Sequence, residues 1–164
     1  MAKINFKGVE KYVNKLELLQ KSEVIKKAVY RGGEVVAEAI KEGLKQLPIE
    51  EGENGLPPMG SEENPLHGVS RKQKQDLIES FGLAPMEDEK GYINTKAGFD
   101  GYGSIKTKKY PKGVPNSMLM RSVESGTSFR KKHPVIRPAV NKSRKKAEEI
   151  MEQTVNEELK KIFK

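Results

Sequence analysis

A chain of 164 residues, 35% hydrophobic, 6% aromatic, without Trp and 33% charged, is too apolar to be wholly disordered and can bury only a modest core. The absence of cysteine excludes a disulfide framework, a thiolate nucleophile and a Cys-ligated zinc site. The net charge of +8 is concentrated, because residues 102–146 hold 13 basic side chains against Glu124 alone, whereas residues 47–69 hold five acidic and no basic ones.

The opening MAKINFKGVEKYV has no signal-peptide apolar stretch, and no apolar run reaches membrane-spanning length, so a soluble protein with no membrane contact is expected. Val9, Tyr12, Val13, Leu16 and Leu19 recur at three- and four-residue spacing, which predicts an amphipathic helix. Ser22 can cap a second, longer helix, along which Ile25, Ala28, Val29, Gly32, Val36, Ala39, Ile40, Gly43 and Leu47 trace an apolar stripe. Gly32-Gly33 within it reads as a site of close packing. Pro48 ends this helix.

Pro, Gly, Asn and Glu dominate residues 48–69, which predicts a long exposed loop, either a flexible insert or an arm reaching a neighbouring subunit. Its acids, Glu50, Glu51, Glu53, Glu62 and Glu63, are candidates for pairing between subunits. Ser70 is placed to cap a short helix ended by Gly82, and LAPMEDEKGYINTKAGF then reads as a β-hairpin turning at MEDEKG. Its second arm alternates Ile93, Thr95, Ala97 and Phe99 with Tyr92, Asn94 and Lys96. Residues 101–115, rich in Gly, Lys and Pro, form a second predicted loop. Asn116 or Ser117 can cap a helix that buries Met118, Leu119 and Val123 and stops at Gly126. A final helix of some 25 residues carries Ala147, Ile150, Met151, Thr154, Val155, Leu159 and Ile162 on one face. Its charges run against the helix dipole, with Lys142, Arg144, Lys145 and Lys146 early and Glu157 and Glu158 late.

The run Val123-Glu124-Ser125-Gly126-Thr127-Ser128, followed after a basic linker by His133-Pro134-Val135-Ile136-Arg137-Pro138-Ala139, resembles the minor-tail or neck protein family of the lambdoid siphophages. That family shows an E-x-G-T-S-like turn, a variable linker and a P-x-[aliphatic]-R-P-A segment opening the last helix. Ser125 and Val135 stand where the family often has aromatic residues. The resemblance implies a structural virion protein of the head–tail junction (neck, head–tail joining or tail completion). It would be made in the bacterial cytoplasm and act as a homo-oligomeric ring that docks on other neck, connector or tail proteins. A tail terminator is the alternative within the same setting. The motif residues Glu124, Gly126, Thr127, Pro134, Arg137 and Pro138 are then structural or interface positions, with Glu124 the nearest carboxylate for the Arg137 guanidinium.

Lys106, Lys108, Lys109 and Lys112 around Tyr110, and Arg130, Lys131 and Lys132 after Phe129, form a basic set with interleaved aromatics. Such a set suits a lumen crossed by packaged DNA, an acidic neighbouring subunit, or non-specific DNA binding by a protein of another kind. Nothing points to an enzyme. His67 and His133 lack metal-ligand spacing, the glutamates at 50–53 and 87–89 sit on turns, and GYGS at 101–104 lacks the phosphate-loop pattern, so no cofactor or metal is expected. The expected fold is α+β in one domain over residues 1–164. Two N-terminal helices and a long C-terminal helix would pack on a small, mainly antiparallel β-sheet.

Overall fold

A computed structural model describes residues 13, 14, 16, 17 and 23–162. Val9, Tyr12, Leu19 and the Ser22 cap of the sequence reading lie outside the described residues, while Val13 and Leu16 are helical and exposed. The fold is α+β. Helix α1 (Glu23–Lys45) lies against the C-terminal helix α4 (Ile136–Ile162) in the most extensive contact between elements. Between them in sequence come α2 (Arg71–Ser80), strands β1 (Phe81–Leu83), β2 (Glu87–Glu89), β3 (Tyr92–Asn94) and β4 (Ala97–Phe99), and α3 (Asn116–Ser125).

Helix α1 exists because its apolar residues recur with helical period and because Pro48 cannot continue it. Its deepest residues are Val24, Ala28, Gly32, Ala37, Ile40 and Leu44. The buried face is therefore broader than the expected stripe and takes in Val24, Ala37 and Leu44. The glycines set how closely α4 can approach: a Cβ on Gly32 would stand 2.6 Å from Met151 Cγ, and one on Gly43 2.6 Å from Val135 Cγ1. Contacts 32–151 and 43–135 also fix the two helices as antiparallel. At their far end Lys27 Nζ meets Glu158 Oε1 at 2.7 Å and Arg31 lies 3.7 Å from Glu157. Hydrogen bonds from Lys27 and Lys161 hold the Glu158 carboxyl down at about 2. The late acids of α4, unfavourable for its dipole, are thus offset by cations of α1.

Ser70 caps α2 as the sequence indicates. Its hydroxyl accepts the Gln73 N–H at 3.2 Å and the Gln73 side chain accepts the Ser70 N–H at 3.1 Å, a reciprocal box. Ser70→Ala is expected to cost about 1 kcal/mol, read as a fall of about 2–4 °C in the thermal midpoint. Gly82 does not end α2; the helix stops at Ser80, and Gly82 lies inside β1.

The β region corrects the expected single sheet. It consists of two short antiparallel ladders, β1 with β4 and β2 with β3. The turn is tighter than MEDEKG, because Glu87–Glu89 are already a strand and Lys90 and Gly91 alone reverse the chain with φ of 55° and 88°. In the other ladder Phe81 pairs with Phe99, their ring centroids 5.0 Å apart. These rings join Ile40, Leu44, Leu77, Leu119, Met120 and Val123 in the core. The short helix α3 buries Leu119 and Val123 as expected, but the buried methionine is Met120, and Met118 is 49% exposed. Asn116 does not cap it but begins it, buried, and donates from Nδ2 to the Asp100 carbonyl at 2.9 Å.

Candidate functional site

The segment joining α3 to α4 contains the E-S-G-T-S and P-V-I-R-P-A runs, and the structure folds them into one unit. Gly126, at φ 76°, ends α3 in a conformation open to glycine and closed to β-carbon-bearing residues without strain. Thr127 and Arg130 exchange backbone hydrogen bonds in a tight turn, and the Thr127 hydroxyl accepts the Phe129 N–H at 3.2 Å. The His133 N–H then returns to the Val123 carbonyl at 2.7 Å.

Glu124 closes this corner. Helix α4 has no Ser, Thr, Asp or Asn immediately before Ile136, so its first N–H groups have no local side-chain acceptor. The Glu124 carboxylate, still on α3, accepts the N–H of Val135 at 2.6 Å, of Ile136 at 2.9 Å and of Arg137 at 3.0 Å. Burial alone would raise its pKa. The backbone N–H groups of Arg137, Val135 and Ile136, with the Arg137 charge, outweigh that and hold it below the ordinary carboxylate value. The expected bond from Glu124 to the Arg137 guanidinium is corrected, because the contact is to the Arg137 backbone and the side chain is exposed. Pro138 lies in the first turn of α4, where its missing N–H costs nothing.

This corner opens onto a groove of about 520 Å³ between α1 and the start of α4. Val35, Ala39 and Gly43 line one wall, and Pro134, Pro138 and Ala139 the other. The rims are charged with opposite sign: Glu38 and Glu42 on α1, Lys142 and Lys146 on α4, all four exposed. Glu42 also pairs with Lys45, whereas Lys142, Arg144, Lys145 and Lys146 form no ion pair among the described residues.

The basic and acidic sets separate into buried and exposed members. Arg130, expected with Lys131 and Lys132 on a partner-facing surface, is buried, at 8% exposure. Its guanidinium donates to the Gly68 carbonyl. Burial lowers its pKa and the Glu50 charge pulls it back up. Glu50 is likewise engaged within the chain, accepting the N–H groups of His67 and Gly68, and Glu51 accepts the Arg71 N–H at 2.8 Å and Nε–H at 3.2 Å. Glu50, Glu51 and Arg130 therefore hold the chain's own loop in place. Glu53, Glu62, Glu63, Lys131 and Lys132 are exposed, as are Lys106, Lys108, Lys109 and Lys112.

Loop 48–69, expected as a flexible insert or as an arm reaching a neighbour, is tied at several points to its own chain. Its ends pair as Glu50 N–H to Val69 carbonyl and Val69 N–H to Pro48 carbonyl, and Leu66 exchanges backbone bonds with Phe129 and Lys131. Gly60 sits so close to this strand that a Cβ would fall 2.2 Å from the Phe129 carbonyl oxygen. Loop 101–115 is irregular as expected and is pinned at its base, where Gly103 N–H meets the Val114 carbonyl and Ser104 donates twice to Asp76. Lys109 Nζ lies 5.6 Å from the Tyr110 ring centroid.

The groove was not visible in the sequence, since it arises only where α1 and α4 meet. The signal for Glu124 was negative: a long helix whose start offers no capping side chain must find one elsewhere. No cluster of His, Cys, Asp or Glu suited to a metal occurs among the described residues, and no described helix is long and apolar enough to cross a membrane. No family model, curated protein or solved structure matches this chain.

Proposed function

We propose that the chain is a structural subunit of a tailed-phage virion at the head–tail junction, which associates with copies of itself in a ring and docks on neighbouring neck, connector or tail proteins. One observation carries the reading. The residues that resemble the phage neck pattern are bound to one another through the Glu124 cap and the Gly126 turn, and they border an open groove with apolar walls and oppositely charged rims. Self-complementary charge on a rigid corner is what a ring subunit needs. The protein is made in the host cytoplasm and ends in the particle.

The experiment is an in-frame deletion of the gene in the phage that carries it. DNA-filled heads and unattached tails should accumulate, and supplying the protein in trans should restore infectivity. Normal yields of infectious particles without the protein would end the proposal. Stalled tails of uncontrolled length would place it at the tail terminator instead.

A second reading, non-specific DNA binding, is favoured by Lys106, Lys108, Lys109 and Lys112 lying exposed around Tyr110. Such a protein binds free duplex with affinity that falls steeply as salt rises, each phosphate contact contributing about −0.9 to the logarithmic slope. In a neck subunit these lysines meet DNA only in the assembled lumen, so the purified protein is expected to bind duplex weakly at physiological salt.

A further inference from the structure

The N-terminal stripe and the groove match in length and charge. Val9, Tyr12, Val13, Leu16 and Leu19 fall within one face of a helix at about 100° per residue, and the stripe is about 15 Å long. Its two edges differ. Glu10 and Glu17 flank one side of the apolar face, and Lys11 and Lys15 flank the other. Where this segment is described, Val13 and Leu16 are helical but 45% and 60% exposed, so the described residues leave them largely uncovered.

The groove is lined on α1 from Val35 to Gln46, a span of about 16 Å. A helix laid in it antiparallel to α1 puts Lys11 and Lys15 beside Glu38 and Glu42, and Glu10 and Glu17 beside Lys142 and Lys146. The opposite direction brings like charges together along both rims. Handedness of the helix thus selects one orientation.

The chain's own segment cannot take that position. With the stripe spanning the groove from end to end, Leu19 would stand beside Val35, about 18 Å along α1 from Glu23. The four peptide units joining Leu19 to Glu23 reach about 14 Å when fully extended. The occupant must come from another molecule.

We propose that residues 9–19 of one copy dock as a helix in the α1–α4 groove of a second copy, antiparallel to its α1, so that each subunit clasps the next. A head-to-tail contact of this kind closes into a ring when the rotation allows. The inference rests on the reading of the chain as a self-assembling subunit and specifies the contact.

The chain has no cysteine among its residues, so disulfide trapping has no background. Full-length L16C and full-length A39C, each purified alone, are mixed and oxidised. A covalent heterodimer is expected, and neither variant alone should give one. Separately, K142E/K146E should weaken self-association about tenfold, as several rim pairs reverse sign, and adding E10K/E17K to the same chain should restore it. No heterodimer from chains that still assemble overturns the clasp and leaves the proposed function standing. Failure of E10K/E17K to rescue association by folded K142E/K146E protein overturns it also. A chain that stays monomeric at all concentrations and is absent from particles overturns both readings.

Discussion

Glu124→Ala is expected to cost about 2 kcal/mol, the upper range for loss of a helix cap, because three N–H groups lose their acceptor at once. At this chain length that is a fall of about 4–8 °C in the thermal midpoint by calorimetry. Glu124→Gln should recover only part of it: the amide offers one acceptor oxygen where the carboxylate offers two, turns an N–H group toward other N–H groups, and gives up the negative charge at the N-terminus of α4. The pH dependence has a definite sign. The folded pKa lies below 4.5, so the native state binds the proton less readily than the unfolded chain. The increment due to the charge is therefore complete above pH 4.5 and is lost as pH falls through the lowered folded value. The difference between wild type and Glu124→Gln should be flat toward neutral pH and shrink under acid. An unchanged midpoint in Glu124→Ala would mean that water serves α4 as well as the carboxylate does.

The consequence reaches beyond stability. Pro134 and Pro138 stand on one wall of the groove, and their position relative to Ala39 and Gly43 depends on the angle at which α4 leaves α3. Glu124 is the strut across that angle. Ser70→Ala, which loosens α2, a helix with no residue lining the groove, is a useful comparison. Equal loss of assembly in both variants would mean that assembly follows global stability rather than the geometry of this corner.

Some local signals in the sequence suffice because the partner is a near neighbour. The Ser70 cap needs only Gln73, the Gly126 stop needs only its own φ, and Pro138 needs only to fall in a first turn. The Gly32-Gly33 pair announces close packing but not the partners, which are Met151 for Gly32 and Thr95 and Leu83 for Gly33. The largest differences arise where distant groups decide. Backbone N–H groups have no residue signature, so Glu124 was matched to the charge on Arg137 rather than to the amides of residues 135–137. For α3 the expected burial of Leu119 and Val123 holds, and the difference is confined to the methionine, Met120 rather than Met118 lying in the core. Charge sign alone does not tell a solvated cation from a buried one, which is why Arg130 was grouped with its neighbours Lys131 and Lys132.

Arg130 carries the largest expected effect. Its guanidinium ties the turn after Gly126 to the Gly68 carbonyl, where loop 48–69 meets α2, and Glu50 in the same loop bonds the N–H groups of His67 and Gly68. Arg130→Ala removes the donor, leaves a cavity and strips a buried carbonyl of its partner, and is expected to cost about 3 kcal/mol. The thermal midpoint should drop by about 6–12 °C. Hydrogen exchange should show the loss concentrated at Leu66, Val69 and Glu50, whose N–H groups hold the loop to the rest of the chain. Lysine does not substitute, since its single ammonium cannot reproduce the planar fork, so Arg130→Lys should recover less than half of the loss. Arg130→Met restores volume without the charge and separates the two contributions. Recovery by Met would assign the loss to packing, whereas continued loss assigns it to the orphaned carbonyl and to Glu50. The acidic surface of Glu53, Glu62 and Glu63 is presented by the loop that Arg130 holds. If that surface docks on a neighbour, Arg130→Ala will reduce assembly more than its stability cost predicts, and raising the protein concentration will not restore it.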